Sequence, residues 1–306
     1  VRLREEVPDA LGGERVDRIV AMVSGCSRSE AADLVAAGGV LVDGVVVTSR
    51  SARLQPGQVV ELDAPDPGAL VALTPDPSVP VPLVHEDPDL LVVDKPAGLV
   101  VHPGAGRSEG TLVHGLLARY PEIAEVGVDP VRPGIVHRLD KGTSGLLLVA
   151  RTSAAYEQLV AMLSARAVHR RYRALAWGHL ASPTGLVDAP IGRSLREPTR
   201  MAVVERGKEA RTRYEVLHRY HEPVEVTELA CTLETGRTHQ IRVHLRSIGH
   251  PVVGDVRYDG GRQSLPLDRP FLHAEVLDLD HPVTGEHLHL ESPLPEDLQA
   301  VLDRLA

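Results

Sequence analysis

The sequence predicts an α+β protein, with a larger domain on a mixed, largely antiparallel sheet behind a small helix-and-hairpin module. Three observations carry this. Strand-like segments outnumber helical ones and come in consecutive runs, which favours segregated α and β over a doubly wound alternation. Pro65, Pro67, Pro75, Pro77, Pro80 and Pro82 crowd a stretch that can build neither a helix nor a central strand. The chain's 306 residues leave room for about two domains at roughly 150 residues each. The expected division is a module over 1–62, a linker over 63–82 and a main domain over 83–306.

In the module, Ser27-Arg28-Ser29-Glu30 has the capping-box pattern, in which Ser27 accepts the Glu30 amide and Glu30 reaches back. The helix it starts carries Ala31, Ala32, Leu34 and Val35 and stops at Gly38-Gly39. Val40-Leu41-Val42 and Val45-Val46-Val47 flank Asp43-Gly44, a two-residue hairpin signal. One helix and a hairpin are short of core, so a partner surface is expected. Beyond the linker, Leu90–Val93 reads as a buried strand ended by Lys95-Pro96, and Thr111–Tyr120 as a helix stopped by Pro121. Gly145–Ala150 is an apolar strand, and Ser153–Arg166 a helix with Leu159 and Leu163 on one face. Segments 169–177, 185–191, 210–221 and 224–234 alternate as strands do. Thr238 is expected to cap a helix carrying Ile241, Leu245 and Ile248, and Pro295–Leu305 to form a terminal amphipathic helix.

With 43% hydrophobic and 25% charged residues, the composition is that of a soluble globular chain. No apolar run reaches the ~18 residues of a membrane span, and the charged N-terminus has no apolar signal region behind it. Cys26 and Cys231 are too few for a disulfide framework or a structural zinc site, so a reducing cytoplasm fits. The net charge of −9 argues against a nucleic-acid partner, but its distribution argues for one. Arg132, Arg138, Lys141, Arg151, Arg166, Arg170, Arg171 and Arg173 are offset in their stretch only by Asp140 and Glu157. From Arg193 to Arg213, seven cations face Glu197, Glu205 and Glu209. The Walker loop, the dinucleotide glycine fingerprint and the Gly-x-Ser-x-Gly elbow are all missing. His239 and His244 are five apart, which is not the i, i+4 spacing of helical metal ligands. Neither cofactor nor metal is therefore expected.

The unusual passage is Gly134-Ile-Val-His137-Arg138-Leu-Asp140-Lys141-Gly142-Thr143-Ser144-Gly145-Leu146, a polar cluster between two apolar strands. Asp140 must reach solvent there or have a cationic partner, because buried charge is costly unless paired. This string resembles the His-Arg-Leu-Asp-x-x-Thr-Ser-Gly motif of the RluA/RluD-type pseudouridine synthases. Val92–Gly104, containing Lys95-Pro96-Ala97-Gly98, resembles the opening segment of that family, and Arg171-Tyr172-Arg173-Ala174-Leu175 its tyrosine motif. Gly207-Lys208-Glu209-Ala210 with Thr212, Gly236–His244, Gly249-His250-Pro251, Gly254-Asp255, Leu272-His273-Ala274 and His281-Pro282 follow in the family's order. The string at 103–106 is most similar to the RluD branch, in which Asp often stands where this chain has Gly142. Arg15-Val16-Asp17, Ser27-Arg28-Ser29, Gly39-Val40 and the Asp43-Gly44 hairpin resemble the alpha-L RNA-binding motif. Two departures stand out there: Asp43 where Asn is usual, and Gln58 where Asp is usual. Between residues 14 and 60 five arginines offset five acids, so the module's own affinity for RNA is expected to be weak.

The resemblance implies a pseudouridine synthase fold and cofactor-independent isomerisation of uridines in large-subunit (23S) ribosomal RNA, free or in a pre-ribosomal particle. It implies a cytoplasmic enzyme, with a monomer as the default. Asp140 would attack C1′ or take a proton from C2′, with Arg242 as its bidentate partner. Tyr172 would stack on uracil, and Arg138 matches the family arginine that helps displace the target nucleotide, since a stacked uridine must be flipped out. Arg28, Lys141, Arg170, Arg171 and Arg237 are expected to contact RNA. The alternatives are a catalytically silent RNA-binding or ribosome-assembly factor, and a glycoside hydrolase. The hydrolase normally needs two flanking carboxylates.

Overall fold

A computed structural model of the protein describes residues 2–24, 26, 28–63, 73–104, 107–194, 196–197 and 199–306. The chain divides into two units, Val1–Ala72 and Leu73–Ala306. In the first, β1 (Arg2–Glu6), α1 (Val16–Ser24), α2 (Arg28–Ala36), β2 (Val40–Val42), β3 (Val45–Val46) and β4 (Val59–Asp63) follow one another. The strands form an antiparallel sheet in the order β1-β4-β2-β3. Asp43 (φ 50°) and Gly44 (φ 77°) both take the left-handed conformation that a tight two-residue hairpin demands. The module has a core cluster of its own, larger than one helix and a hairpin would supply. The helix α1 and strands β1 and β4, which the sequence reading missed, close over buried Val16, Ile19, Val20, Val35, Val40, Val60 and Leu62. The two departures from the RNA-binding pattern meet each other: the Asp43 carboxylate accepts the Gln58 amide at 2.9 Å and the Val59 N–H at 2.8 Å. The expected Ser27 cap and the side chain of Arg28 lie outside the described residues.

The second unit begins inside the proline-rich stretch. Leu73 and Val81 pack on its core, and the Asp76 N–H donates to the His114 carbonyl at 3.0 Å. Proline removes backbone donors but does not prevent neighbouring apolar side chains from being buried. The unit then runs through β5 (Leu83–Glu86), β6 (Leu90–Lys95), α3 (Leu112–Arg119), β7 (Ser144–Ala150), α4 (Ser153–Ser164) and β8 (His169–Trp177). It continues with β9 (Thr184–Asp188), β10 (Ile191–Arg193), β11 (Met201–Val203), β12 (Arg211–Tyr220) and β13 (Val226–Leu233). Last come α5 (Gln240–Ser247), β14 (Leu272–Asp280), β15 (His287–Glu291) and α6 (Glu296–Leu302).

The main sheet has the order β5-β6-β7-β14-β8-β13-β12-β9, with β15 beside β14. Its one parallel pairing joins β7 and β14, so the sheet is mixed and largely antiparallel, as expected. At that junction Gly145 (φ 107°) lies so close to the facing strand that a Cβ would sit 2.2 Å from the Ala274 carbonyl oxygen. The strand expected over 185–191 breaks at Ala189-Pro190, where β9 ends and the separate β10–β11 ribbon begins. The N-cap position of α5 is His239 rather than Thr238, without a side-chain capping bond, and the Gln240 side chain braces the turn before it. Its Oε1 accepts the Arg237 N–H at 3.0 Å and the Thr235 hydroxyl at 2.7 Å. Ile248 falls just beyond this helix and is exposed.

Candidate active site

Asp140 sits on the loop entering β7, the most thoroughly buried strand of the sheet. Backbone bonds hold this loop: Thr143 N–H to the Asp140 carbonyl at 3.1 Å, and Gly98 N–H to the Lys141 carbonyl at 2.7 Å. Arg269 adds a bond to the Gly142 carbonyl at 3.3 Å. A side chain at 142 would press on Pro270, whose Cδ lies 2.9 Å from the position of a Cβ, which fits glycine in this chain.

Arg242 reaches the Asp140 carboxylate from α5, but the expected bidentate pair is not made. A single bond joins Arg242 Nη1 to Asp140 Oδ2 at 2.9 Å. The bidentate partner is Asp255, which accepts Nε at 2.6 Å and Nη2 at 2.9 Å. Asp255 is 1% exposed, so it needs the two-point neutralisation more than Asp140, whose carboxylate borders the cavity. The guanidinium also lies over the Tyr258 ring, 5.0 Å from its centroid. Tyr258 is fully buried, and its hydroxyl accepts the Met201 N–H at 3.1 Å, leaving its own hydrogen for His239 Nδ1 at 2.7 Å. His239 then carries its proton on Nε2, 3.9 Å from the second oxygen of Asp140. It holds this place in a left-handed turn (φ 58°).

Tyr172 is buried on β8, and burial pushes its phenol up, so the ring stays neutral. Asp140, Tyr172, Arg138, Arg170 and Arg237 border one cavity of about 590 Å³. Arg138 is exposed, and Arg237 is tied by its Nε to the Glu209 carbonyl at 2.9 Å. Lys141 is exposed and does not line the cavity. Arg171 is displaced from the site by the alternation of β8: it faces away from Tyr172 and pairs with Glu275 at 3.1 Å.

Asp255, Tyr258, His239 and Lys95 were missed as site residues. Gly254-Asp255 and Lys95-Pro96 were visible as motif fragments, but nothing local showed that Asp255 would hold Arg242 or that Lys95 would be buried within reach of the Asp140 charge. Lys95 is fully buried, with its ammonium donating to the Pro96 and Leu99 carbonyls at 2.8 and 2.9 Å. Burial pushes its pKa from 10.5 down to about 7, while nearby Asp140 pulls the other way. The folded state therefore loses this proton first. Above about pH 7 and up to the unfolded value the unfolded chain holds one more proton, so stability rises with pH. Lys95→Met is expected to flatten that rise in thermal melts taken from pH 7 to 10; an unchanged slope would exclude Lys95 as its source.

Residues 89–247 match the RNA pseudouridylate synthase family, and residues 14–60 match the S4 domain. The chain is 45% identical over 314 residues to ribosomal large subunit pseudouridine synthase D of Pseudomonas aeruginosa, covering 98% of this chain and 94% of that one. It is 43% identical over 294 residues to the uncharacterized RNA pseudouridine synthase YlyB of Bacillus subtilis, covering 95% and 94%. Among solved structures, human RNA pseudouridylate synthase domain containing 1 aligns with a TM-score of 0.58 at 30% identity, covering 73% of this chain and 88% of that chain. The family match takes in both Asp140 and Arg242, and the relatives align along nearly the whole length: the chain belongs to the RNA pseudouridylate synthase family.

Proposed function

We propose that the enzyme converts specific uridines of large-subunit ribosomal RNA to pseudouridine in the cytoplasm, acting as a monomer with Asp140 as its catalytic carboxylate. The observation that carries this is the single 2.9 Å bond from Arg242 to Asp140 at the edge of a cavity that Tyr172 also lines. The naming of the Pseudomonas aeruginosa relative supports the choice of RNA.

In the reaction the N1–C1′ bond breaks, the uracil turns, and a C5–C1′ bond forms. The C5 hydrogen leaves to solvent and N1 takes up a proton, so atoms and electrons balance without a redox partner. Asp140 acts either by attack at C1′ or by taking the C2′ proton, and both roles need the ionised carboxylate. Arg242 supplies the compensating charge, and Asp255 fixes the guanidinium so that its remaining Nη1–H is aimed at Asp140. The Tyr172 ring holds the detached base near the sugar. Arg138, exposed at the rim, fits the displacement of the nucleotide from its stack, and Arg237 a phosphate contact. The S4 module adds a further RNA surface.

Large-subunit transcript tritiated at C5 of uracil tests this directly. The expected result is tritium in water without free uracil. Salt-sensitive binding without release, from transcript and from ribosomal particles alike, would instead mark a silent RNA-binding or assembly factor, and free uracil a glycosidase. Tyr172→Leu is expected to cost about 10–100-fold in kcat/KM, the worth of one base stacked on an aromatic ring. A loss below threefold in the same assay would remove the stacking role.

A further inference from the structure

Arg170 is anomalous among the cations of the cavity. It shares the inward face of β8 with Tyr172, and the residue is only 6% exposed. Its Nε has no hydrogen-bond partner, and among the described residues its guanidinium makes neither a hydrogen bond nor an ion pair. Of the other cavity arginines, Arg166 pairs with Glu209 at 2.7 Å, Arg132 with Asp129 at 3.3 Å, Arg237 has the Glu209 carbonyl, and Arg138 is exposed to solvent. A buried charge without a counter-ion is expensive, and native structures rarely keep one without a reason.

His137 adds a second orphan donor to the same cavity. Its Nε2 accepts the Leu148 N–H at 3.0 Å, so the neutral ring carries its hydrogen on Nδ1. That Nδ1 is buried and also lacks a partner. Burial and the nearby Arg170 charge push the ring's pKa down to about 3, so it stays neutral. The Arg170 guanidinium lies against the backbone at Gly236, where a Cβ would come within 3.1 Å of its Nη1. The wall beside Tyr172 and Asp140 thus offers a fixed positive charge and a neutral N–H, neither of them bound to a protein acceptor. The complement of such a pair is a group that only accepts and carries negative charge.

We infer that Arg170 and His137 form a buried site for a phosphate group, filled by a phosphodiester of the RNA next to the flipped nucleotide. This rests on the proposed function for its source of phosphate, since inorganic phosphate has the same chemistry. The free enzyme holds the guanidinium unpaired, and the substrate completes the ion pair as it enters.

The test uses the full chain with Arg170→Met and Arg170→Lys, each also combined with Asp140→Asn so that binding is read without turnover. Without RNA, Arg170→Met is expected to melt at or above the wild-type temperature, whereas loss of a structural arginine would lower it. With a large-subunit RNA transcript, Arg170→Met is expected to bind about 10-fold more weakly at 0.1 M salt. The slope of log K against log salt should shrink by about 0.7–0.9, one phosphate contact. Arg170→Lys should keep the wild-type slope with intermediate affinity. Inorganic phosphate should raise the melting temperature of the wild type, not of Arg170→Met, and should compete with the RNA. Unchanged affinity and slope in Arg170→Met overturn the site. Phosphate binding at Arg170 that leaves RNA binding untouched overturns the RNA as its source. A wild type that shows the Arg170-dependent slope but releases no tritium defeats the proposed reaction and leaves the phosphate site standing.

Discussion

Asp140→Asn is expected to abolish tritium release, by at least about 10⁴-fold, while RNA affinity stays within about threefold of the wild type. Asparagine matches the shape of aspartate, and its amide oxygen can still accept the 2.9 Å bond from Arg242 Nη1. The loop is held by backbone bonds at Thr143 and Gly98 that do not involve the carboxylate. What disappears is the group that can attack C1′ or accept the C2′ proton. Unaltered folding and binding with no release would locate the loss in the chemical step. Release above about a hundredth of the wild-type rate would show that another group performs that step.

Arg242→Met is expected to cost about 3–5 kcal/mol in stability as well as activity, because it strands the fully enclosed Asp255 carboxylate. The two losses can be separated. Replacing Asp255 as well, in Arg242→Met/Asp255→Leu, removes the orphaned charge and is expected to recover most of the stability in denaturant unfolding. Tritium release should not return, because Asp140 still lacks its cation. If the double variant is as unstable as the single one, the cost comes from lost packing over Tyr258 rather than from charge. If it regains activity, Arg242 serves the reaction only by supporting the fold.

Much of the molecule was legible where short-range chemistry decides. The Asp43-Gly44 turn, the helix that Pro121 stops and the apolar β7 strand all follow from neighbours in sequence. The β1 and β4 strands were not legible, because their pairing joins residues some sixty positions apart, as Arg2 meets Asp63, whereas α1 was missed although Val16, Ile19 and Val20 recur at helical spacing. The cap of α5 was also misread. Thr238 is a good capping residue in isolation, but the helix starts one residue later, after a left-handed His239 whose side chain makes no capping bond.

The sequence by itself determined which side chains are available for chemistry and, through the period of β8, that Arg170 and Tyr172 share a face while Arg171 leaves it. Its resemblance to the family brought Asp140, Tyr172 and Arg242 forward as one set. Only the tertiary structure decided how they are used: that Asp255 claims two of the three Arg242 bonds, that His239 and Tyr258 stand beside the carboxylate, and that Lys95 is dry enough to lose its proton near neutrality. The physical reason is that pairing and desolvation depend on what surrounds a group in space. A strand records its own alternation, but it does not record whether an inward arginine will meet a carboxylate or, as at Arg170, none.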